Sequence, residues 1–289
     1  MGREGAFQQT PRSAAGAFEA SAALQDEGAR GKRETVAHDR MDCRDDRLPT
    51  TTMDHDMADE QIATRLKCAL VVRGAFDAHV VPAFEAAGGR AAIHWAPTAV
   101  IMKEIEAGET ADAILVLSDA MDRLIAEGRV EAESRVDAVR SRYGIAVKAG
   151  APHPDISTVD ALKRTLVEAR SVAYSRTGAS GIYFAGLLPR LGLAEAVNAR
   201  ATIIPQGFTA EKLVSGEADI AVQQISELMV VPGIEVVGPL PDPVQEMTTF
   251  SAAIMRGATD RAGAARFLAG LTTPQAAEAY RTSGLEPAF

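Results

Sequence analysis

Residues 91–118, AAIHWAPTAVIMKEIEAGETADAILVLS, decide the fold class. Ala91–Trp95 reads as a strand, Ala96-Pro97-Thr98 as a turn, and Thr98 caps a helix through Ala107 that Gly108 stops. Ala113–Leu117 is an apolar run without alternation, as expected of a strand covered on both faces, and Ser118 caps the next helix, through Glu127. Strand, turn and helix in repetition predict an α/β protein with a parallel sheet and crossover helices.

The pattern extends both ways. Upstream, Leu66–Val72 reads as a strand ending at Arg73-Gly74-Ala75, followed by a helix over Phe76–Ala87 that Gly88-Gly89 closes. Downstream, the alternation breaks at an extended segment, Tyr143–Lys148, and a Pro/Gly-rich stretch, Ala149–Pro154. It restarts with a helix near Thr158–Ala169, strand Ser171–Tyr174, turn Ser175–Ser180 and helix Gly181–Leu191, stopped by Gly192. Strand Ala201–Ile204, helix Thr209–Ser215 and strand Asp219–Gln223 follow, then a proline cluster at Pro239–Pro243. Strand Thr248–Met255 and helices Asp260–Gly270 and Pro274–Ser283 finish the chain. Two α/β units result, with the last helices free to return to the first. The division expected is 63–146 with 247–289 in one lobe and 147–246 in the other. Ligands in such sheets sit beyond the carboxyl ends of the strands, which puts the site in the cleft between units.

The chain has 289 residues, with 30 Lys and Arg against 39 Asp and Glu, a net charge of −9. That length allows roughly two domains. The acidic balance argues against nucleic acid, which calls for a basic footprint. No apolar run approaches the ~20 residues that span a bilayer. Two cysteines are too few for a disulfide framework or a cysteine zinc site. Of the net charge, −5 falls in residues 1–60, where Phe7, Phe18, Leu24, Val36 and Leu48 are the only large apolar residues besides methionines. Residues 1–62 therefore read as a disordered or non-native extension, with Met57 a plausible second start. The run Asp39–Asp46 beside His38 reads as a solvated charged tail rather than a metal tract. Neither start carries a signal peptide, so the chain as printed is expected in the cytoplasm, and in the periplasm if its N-terminus is misassigned.

Three strand-to-helix turns share one chemistry: Arg73-Gly74-Ala75, Ala96-Pro97-Thr98 and Arg176-Thr177-Gly178-Ala179-Ser180-Gly181. Each sets small or hydroxyl residues at a helix start, where free N–H groups and the helix dipole favour an anion. Taken singly, Thr98 and Ser180 read as plain N-caps; three such turns that could face one cleft bring the anion reading level with that. The Gly178–Gly181 loop lacks the lysine and spacing of a P-loop, so a nucleotide is not expected.

From Leu66 to Phe289 the chain resembles a type 2 periplasmic binding protein of the molybdate-binding family. The resemblance rests on Ile105-Glu106-Ala107-Gly108 with Ala111-Asp112, on Ser215-Gly216-Glu217-Ala218-Asp219, and on Phe267-Leu268, Thr273-Pro274 and Gly284-Leu285. It implies a two-lobed fold that closes on a small anion as the binding component of an ABC transporter. The ligand positions depart from the molybdate pattern: Gly74, beside Arg73, stands where the first serine would be, Thr98 matches the second, and Gln224 stands in place of the late tyrosine. The runs Gln223–Glu227, Pro232–Glu235, Val237–Pro241 and Ala149–Asp155 look like a divergent subgroup similar to aconitate isomerase, an enzyme on this fold.

Guanidinium groups pair bidentately with carboxylates, so Arg73 and Arg176 favour a di- or tricarboxylate over a tetrahedral oxyanion, unless both are surface residues paired to neighbouring acids. The expected ligand contacts are Arg73, Gly74, Thr98, Arg176, Ser180, Gly181, Tyr183 and Gln224. If the chain is an isomerase, it needs a base and a donor to the developing enolate. Glu227, Tyr183 and His79 are candidates by type, though Glu227 also reads as a helix cap, His79 as helix surface and Tyr183 as packing. No metal or cofactor is expected; the partners expected are a small anion and a transporter's membrane component, with the chain itself a monomer. A cytosolic ligand sensor is the third reading.

Overall fold

In the computed structural model, which describes residues 62–289, strands alternate with helices. They are β1 Thr64–Cys68, β2 Ala91–Trp95, β3 Ala113–Leu117, β4 Val136–Lys148, β5 Val172–Ser175, β6 Thr202–Ile204, β7 Ile220–Gln224, β8 Ile234–Pro239, β9 Met247–Ile254 and β10 Glu286–Pro287. The charged tract, Met57 and the extension up to residue 61 lie outside the described residues.

The strands run in the order β2-β1-β3-β9-β4-β7-β5-β6, with β8 and β10 also on β4. β1 is parallel to β2 and β3, with Cys68 opposite both Trp95 and Leu115; β5 is parallel to β6 and β7. β4 joins the two groups: from Val136 to Arg142 it pairs with β9, and from Tyr143 onward with β7 and β8. The result is two lobes, each a sheet with helices on both faces.

Four apolar layers follow from the strand patterns. In the first lobe Leu66, Leu115, Phe250 and Ile254 pack with Phe76, Phe267 and Tyr280 on one face, while Ile114 and Val116 meet Ile101, Met121 and Leu124 on the other. In the second, Ile145, Val172 and Val222 pack against Leu162, Phe184 and Leu187, and Ala146, Ala173 and Ala221 against Leu213 and Leu228. Small alanines on that last face let its short helices sit close to the sheet.

Three local expectations change. Leu66–Val72 is not one strand: β1 stops at Cys68, and a continuous helix runs over residues 70–86. Leu70, Val71 and Val72 are buried in its first turn, because an apolar run of that length fits a covered helix as well as a covered strand. Pro82 lacks an N–H for the preceding turn, and there the helix widens so that Val81 N–H reaches Phe76 O, five residues back. Second, the helix caps sit one residue or more earlier than expected: Pro97, Leu117 and Gly178 are the N-cap residues, not Thr98, Ser118 and Ser180. Third, β8 and the first half of β4 were not expected as strands. Val136–Arg142 carries Asp137, Arg140 and Arg142 among its apolar residues, and β8 is bracketed by prolines.

Candidate functional site

The carboxyl ends of β1 and β2 in one lobe face those of β5 and β7 in the other, and a small cavity lies between them. The first lobe lines it with Ala69 and Leu70 after β1, Pro97 and Thr98 after β2, and Phe250 of β9. The second contributes Ser175 at the end of β5, Gly178 and Ala179 at the next helix start, Gly207, and Gln223, Gln224 and Glu227 around the end of β7. Two of the helices that start here, Thr98–Glu106 and Ala179–Arg190, are nine and twelve residues long, and their first turns turn N–H groups and positive dipole ends toward the cavity. The cavity holds about 20 Å³. One water needs ~10–15 Å³ on this measure, so a polycarboxylate enters only when the lobes part.

Glycine makes one approach possible. A Cβ at Gly181 would stand 1.8 Å from Ser175 O, so only glycine lets the helix Ala179–Arg190 pack on the end of β5. A Cβ at Gly178 would stand 2.5 Å from Ser175 Oγ, which places that hydroxyl beside the helix start. Ser175 is buried and its Oγ has no hydrogen-bond partner among the described residues. Thr98 Oγ1 accepts the Leu117 N–H at 3.2 Å, leaving its own hydroxyl hydrogen available.

Glu227 is the one titratable group among the lining residues. It is the third residue of the helix Ile225–Met229, and its carboxyl receives the backbone N–H of the N-cap, Gln224, as in half of a capping box. Gln223 is fixed as a donor to it: Gln223 Oε1 accepts Thr209 N–H and O–H at 2.8 and 2.9 Å, and Nε2 donates to Gly207 O at 2.9 Å, leaving its other hydrogen for Glu227. Burial outweighs both donors and pushes the Glu227 carboxyl up to about 7. A carboxyl of that kind both accepts and returns a proton near neutral pH.

The expected ligand set is brought together only in part. Thr98, Gln224 and Glu227 line the cavity. Arg73 and Gly74 do not, because β1 ends at Cys68 and both lie on the helix over residues 70–86. Arg73 instead lies at the side of the cleft, 5.9 Å from the Trp95 ring centre and 5.8 Å from that of Phe208, with Nε 3.3 Å from Asp77. Arg176 is exposed, and only its backbone N–H is fixed, on Ile204 O at 2.8 Å. Ser180 is buried in the first turn of its helix, outside the cavity lining, and Gly181 serves the packing just described. Tyr183 stacks on Tyr143 at 4.7 Å and donates its hydroxyl to Val244 O within the second lobe; burial raises its pKa. His79 is exposed on its helix beside an apolar groove with Phe84 and Phe267.

Ser175, Gly207 and Phe250 were missed. Ser175 falls one residue before the turn that drew attention, and sequence gives no sign that Gly207 or Phe250 returns to the same point.

Residues 67–286 match the family described as bacterial extracellular solute-binding protein. Over 215 residues the chain is 41% identical to an aconitate isomerase from a Pseudomonas species, a match covering 72% of this chain and 82% of that protein. Among solved structures, the periplasmic molybdate-binding protein of Azotobacter vinelandii superposes with a TM-score of 0.65 at 17% identity, covering 77% of this chain and 98% of that one. The sulfate-binding protein SubI of Mycobacterium tuberculosis gives 0.64 at 18% identity, covering 79% and 88%. At such identity these two establish the fold, the two-lobed type 2 periplasmic binding protein architecture.

Proposed function

Starting from a chain that belongs to the bacterial extracellular solute-binding protein family, we propose that it closes on an unsaturated tricarboxylate and moves that ligand's double bond, with Glu227 carrying the proton. The observation behind this reading is one carboxyl, near 7, set in a cavity otherwise lined by neutral groups and helix starts. The Pseudomonas relative's name gives the ligand class. On propene-1,2,3-tricarboxylate, ionised Glu227 takes a proton from the methylene carbon and the electron pair delocalises through the double bond into a carboxyl. The helix-start N–H groups and Ser175 O–H are the donors to that charge. The proton then returns to the former vinyl carbon, which becomes a methylene. Bonds and charge balance without redox chemistry, and the new double bond can form in the other geometry.

Closure would bend the chain at Tyr143–Lys148 and near Thr248, moving 63–146 with 247–289 against 147–246. A second reading rests on the family match: capture of the same anion without chemistry, for delivery to an ABC transporter from outside the cytoplasmic membrane.

One experiment separates the two. The protein is incubated with the cis or the trans acid in D2O and followed by proton NMR. Interconversion with deuterium entering the methylene supports the isomerase. Thermal stabilisation by the acids without exchange leaves the carrier reading; ligand at 100 times its Kd contributes about 2.7 kcal/mol. Stabilisation by molybdate or sulfate alone would sink both carboxylate readings.

A further inference from the structure

The amide of Gln224 cannot turn freely. Thr248 Oγ1 is 3.2 Å from Ser141 O, a carbonyl that only accepts, so the Thr248 hydroxyl hydrogen is spent there. What Thr248 offers Gln224 is a lone pair, and Gln224 Nε2 donates to it at 3.0 Å. That chain orients the amide and leaves Oε1 as the remaining acceptor. Gln224 is 1% exposed and lines the cavity, and its Oε1 has no hydrogen-bond partner among the described residues.

A bare acceptor is out of place in a site for a fully ionised anion, since a carboxylate oxygen beside it would meet lone pairs and no hydrogen. Leaving a buried acceptor unmatched forfeits the hydrogen bond it had to water and weakens binding. We infer that Gln224 selects a polycarboxylate that presents an O–H at this point, either a carboxyl held in its acid form or a hydroxyl. The inference rests on the polycarboxylate reading above and adds what that ligand must donate. For the proposed reaction the acid form has a chemical use. An un-ionised carboxyl accepts the electron pair from the deprotonated carbon as the enolate of an acid, whereas a carboxylate would have to take a second negative charge. Near Gln224 the titratable groups are Glu227 on the helix that follows and Tyr143, its ladder partner on β4, whose phenol burial keeps protonated. Thr248, on β9, is neutral.

The test uses propane-1,2,3-tricarboxylate, which has no double bond, and citrate, the same skeleton with a hydroxyl. Calorimetry in two buffers of different ionisation enthalpy counts the protons taken up on binding, and the Glu227→Gln background removes that residue's share. If the donor is a carboxyl, Glu227→Gln still takes up close to one proton with the unsubstituted acid, and adding Gln224→Met abolishes the uptake and weakens binding about tenfold. If it is a hydroxyl, citrate binds about tenfold tighter than its parent, and Gln224→Met brings the two within about twofold. Thr248→Val, which frees the amide while keeping Gln224, should erode either preference if the orientation argument holds. Equal affinities for the two acids, with no proton uptake beyond that lost with Glu227, overturn the inference while leaving the tricarboxylate reading intact. Failure of both acids to bind the unsubstituted protein overturns the two together.

Discussion

Asp112 and Glu227 are carboxyls at opposite ends of the strands, and their surroundings drive them in opposite directions. Asp112 stands just before β3, at the amino end of the first sheet, with no exposure. Burial acts to raise its pKa, but the backbone N–H groups of Arg65, Asp260 and Thr259 and the Arg65 guanidinium overcome it and hold the carboxyl below the usual range. Glu227, at the carboxyl end of β7, receives two neutral donors, and there burial prevails. A buried carboxyl is held ionised when enough N–H groups and a cation converge on it; with fewer donors, desolvation raises its pKa instead. The amino end of the sheet is closed structurally, joining β1 to the loop after β9, and the carboxyl end keeps its groups short of partners.

The largest effect should come from Glu227→Gln. If that residue moves the proton, interconversion followed by NMR falls by about 10²–10⁴, while calorimetric affinity for the saturated tricarboxylate is kept. Unchanged turnover would make the contrast with Asp112 a matter of packing alone.

Asp112→Ala should destabilise the fold by about 3 kcal/mol or more in urea unfolding, since three N–H groups lose their acceptor at ~1–3 kcal/mol each. Asp112→Asn keeps part of the acceptor and should lose less. A change below about 1 kcal/mol would mean that these N–H groups find water at little cost.

The two groups should also respond oppositely to pH. Because the folded-state pKa of Asp112 is depressed, its contribution is present above the unfolded value and disappears as pH falls through the folded one. Glu227 is raised from 4.5 to about 7, so its favourable contribution is complete below pH 4.5 and fades as pH rises toward 7. At most roughly 3 kcal/mol is involved, less wherever water enters the cavity. Unfolding free energies measured from pH 4 to 8 should show that decline, and Glu227→Gln should flatten it.

The smallest effect concerns closure. Arg73 and Trp95 belong to the first lobe and Phe208 to the second, so of the two cation–π contacts of Arg73 only that with Phe208 crosses between lobes, contributing about 0.5–1 kcal/mol at a partly exposed site. Arg73→Ala should favour parted lobes several-fold, hydrate Glu227 and move its carboxyl, read by carbon-13 NMR, back toward its ordinary range. The Asp112 signal should stay where it is. Movement of both would mean that the substitution loosened the whole lobe.

Strands such as Ala113–Leu117, found as read, and Ser171–Tyr174, found one residue on at Val172–Ser175, and stops such as Gly192 are legible because strand burial and positive-φ glycines are local. The first ligand turn is not. Leu70–Val72 suits a covered helix and a covered strand alike, and choosing the strand drew Arg73 and Gly74 to the cleft, where the structure has Ala69 and Leu70. The charge of Arg73 and Arg176 points to an anion, but neither reaches the cavity, which is lined by neutral residues and one carboxyl.

The sequence by itself determined the α/β alternation, the two units and the turns at the strand ends, since each depends on neighbours within a few residues. Gln223, Gln224 and Glu227 were visible there as polar residues after a strand, and Glu227 was already a candidate both for a cap and for a base. Only the tertiary structure decided that it is a cap whose carboxyl also meets a closed cavity. Around it stand residues of both lobes, Ala69, Leu70, Pro97 and Thr98 from more than a hundred residues away in the chain and Phe250 from beyond it, and desolvation is a property of everything around a group, not of its own segment.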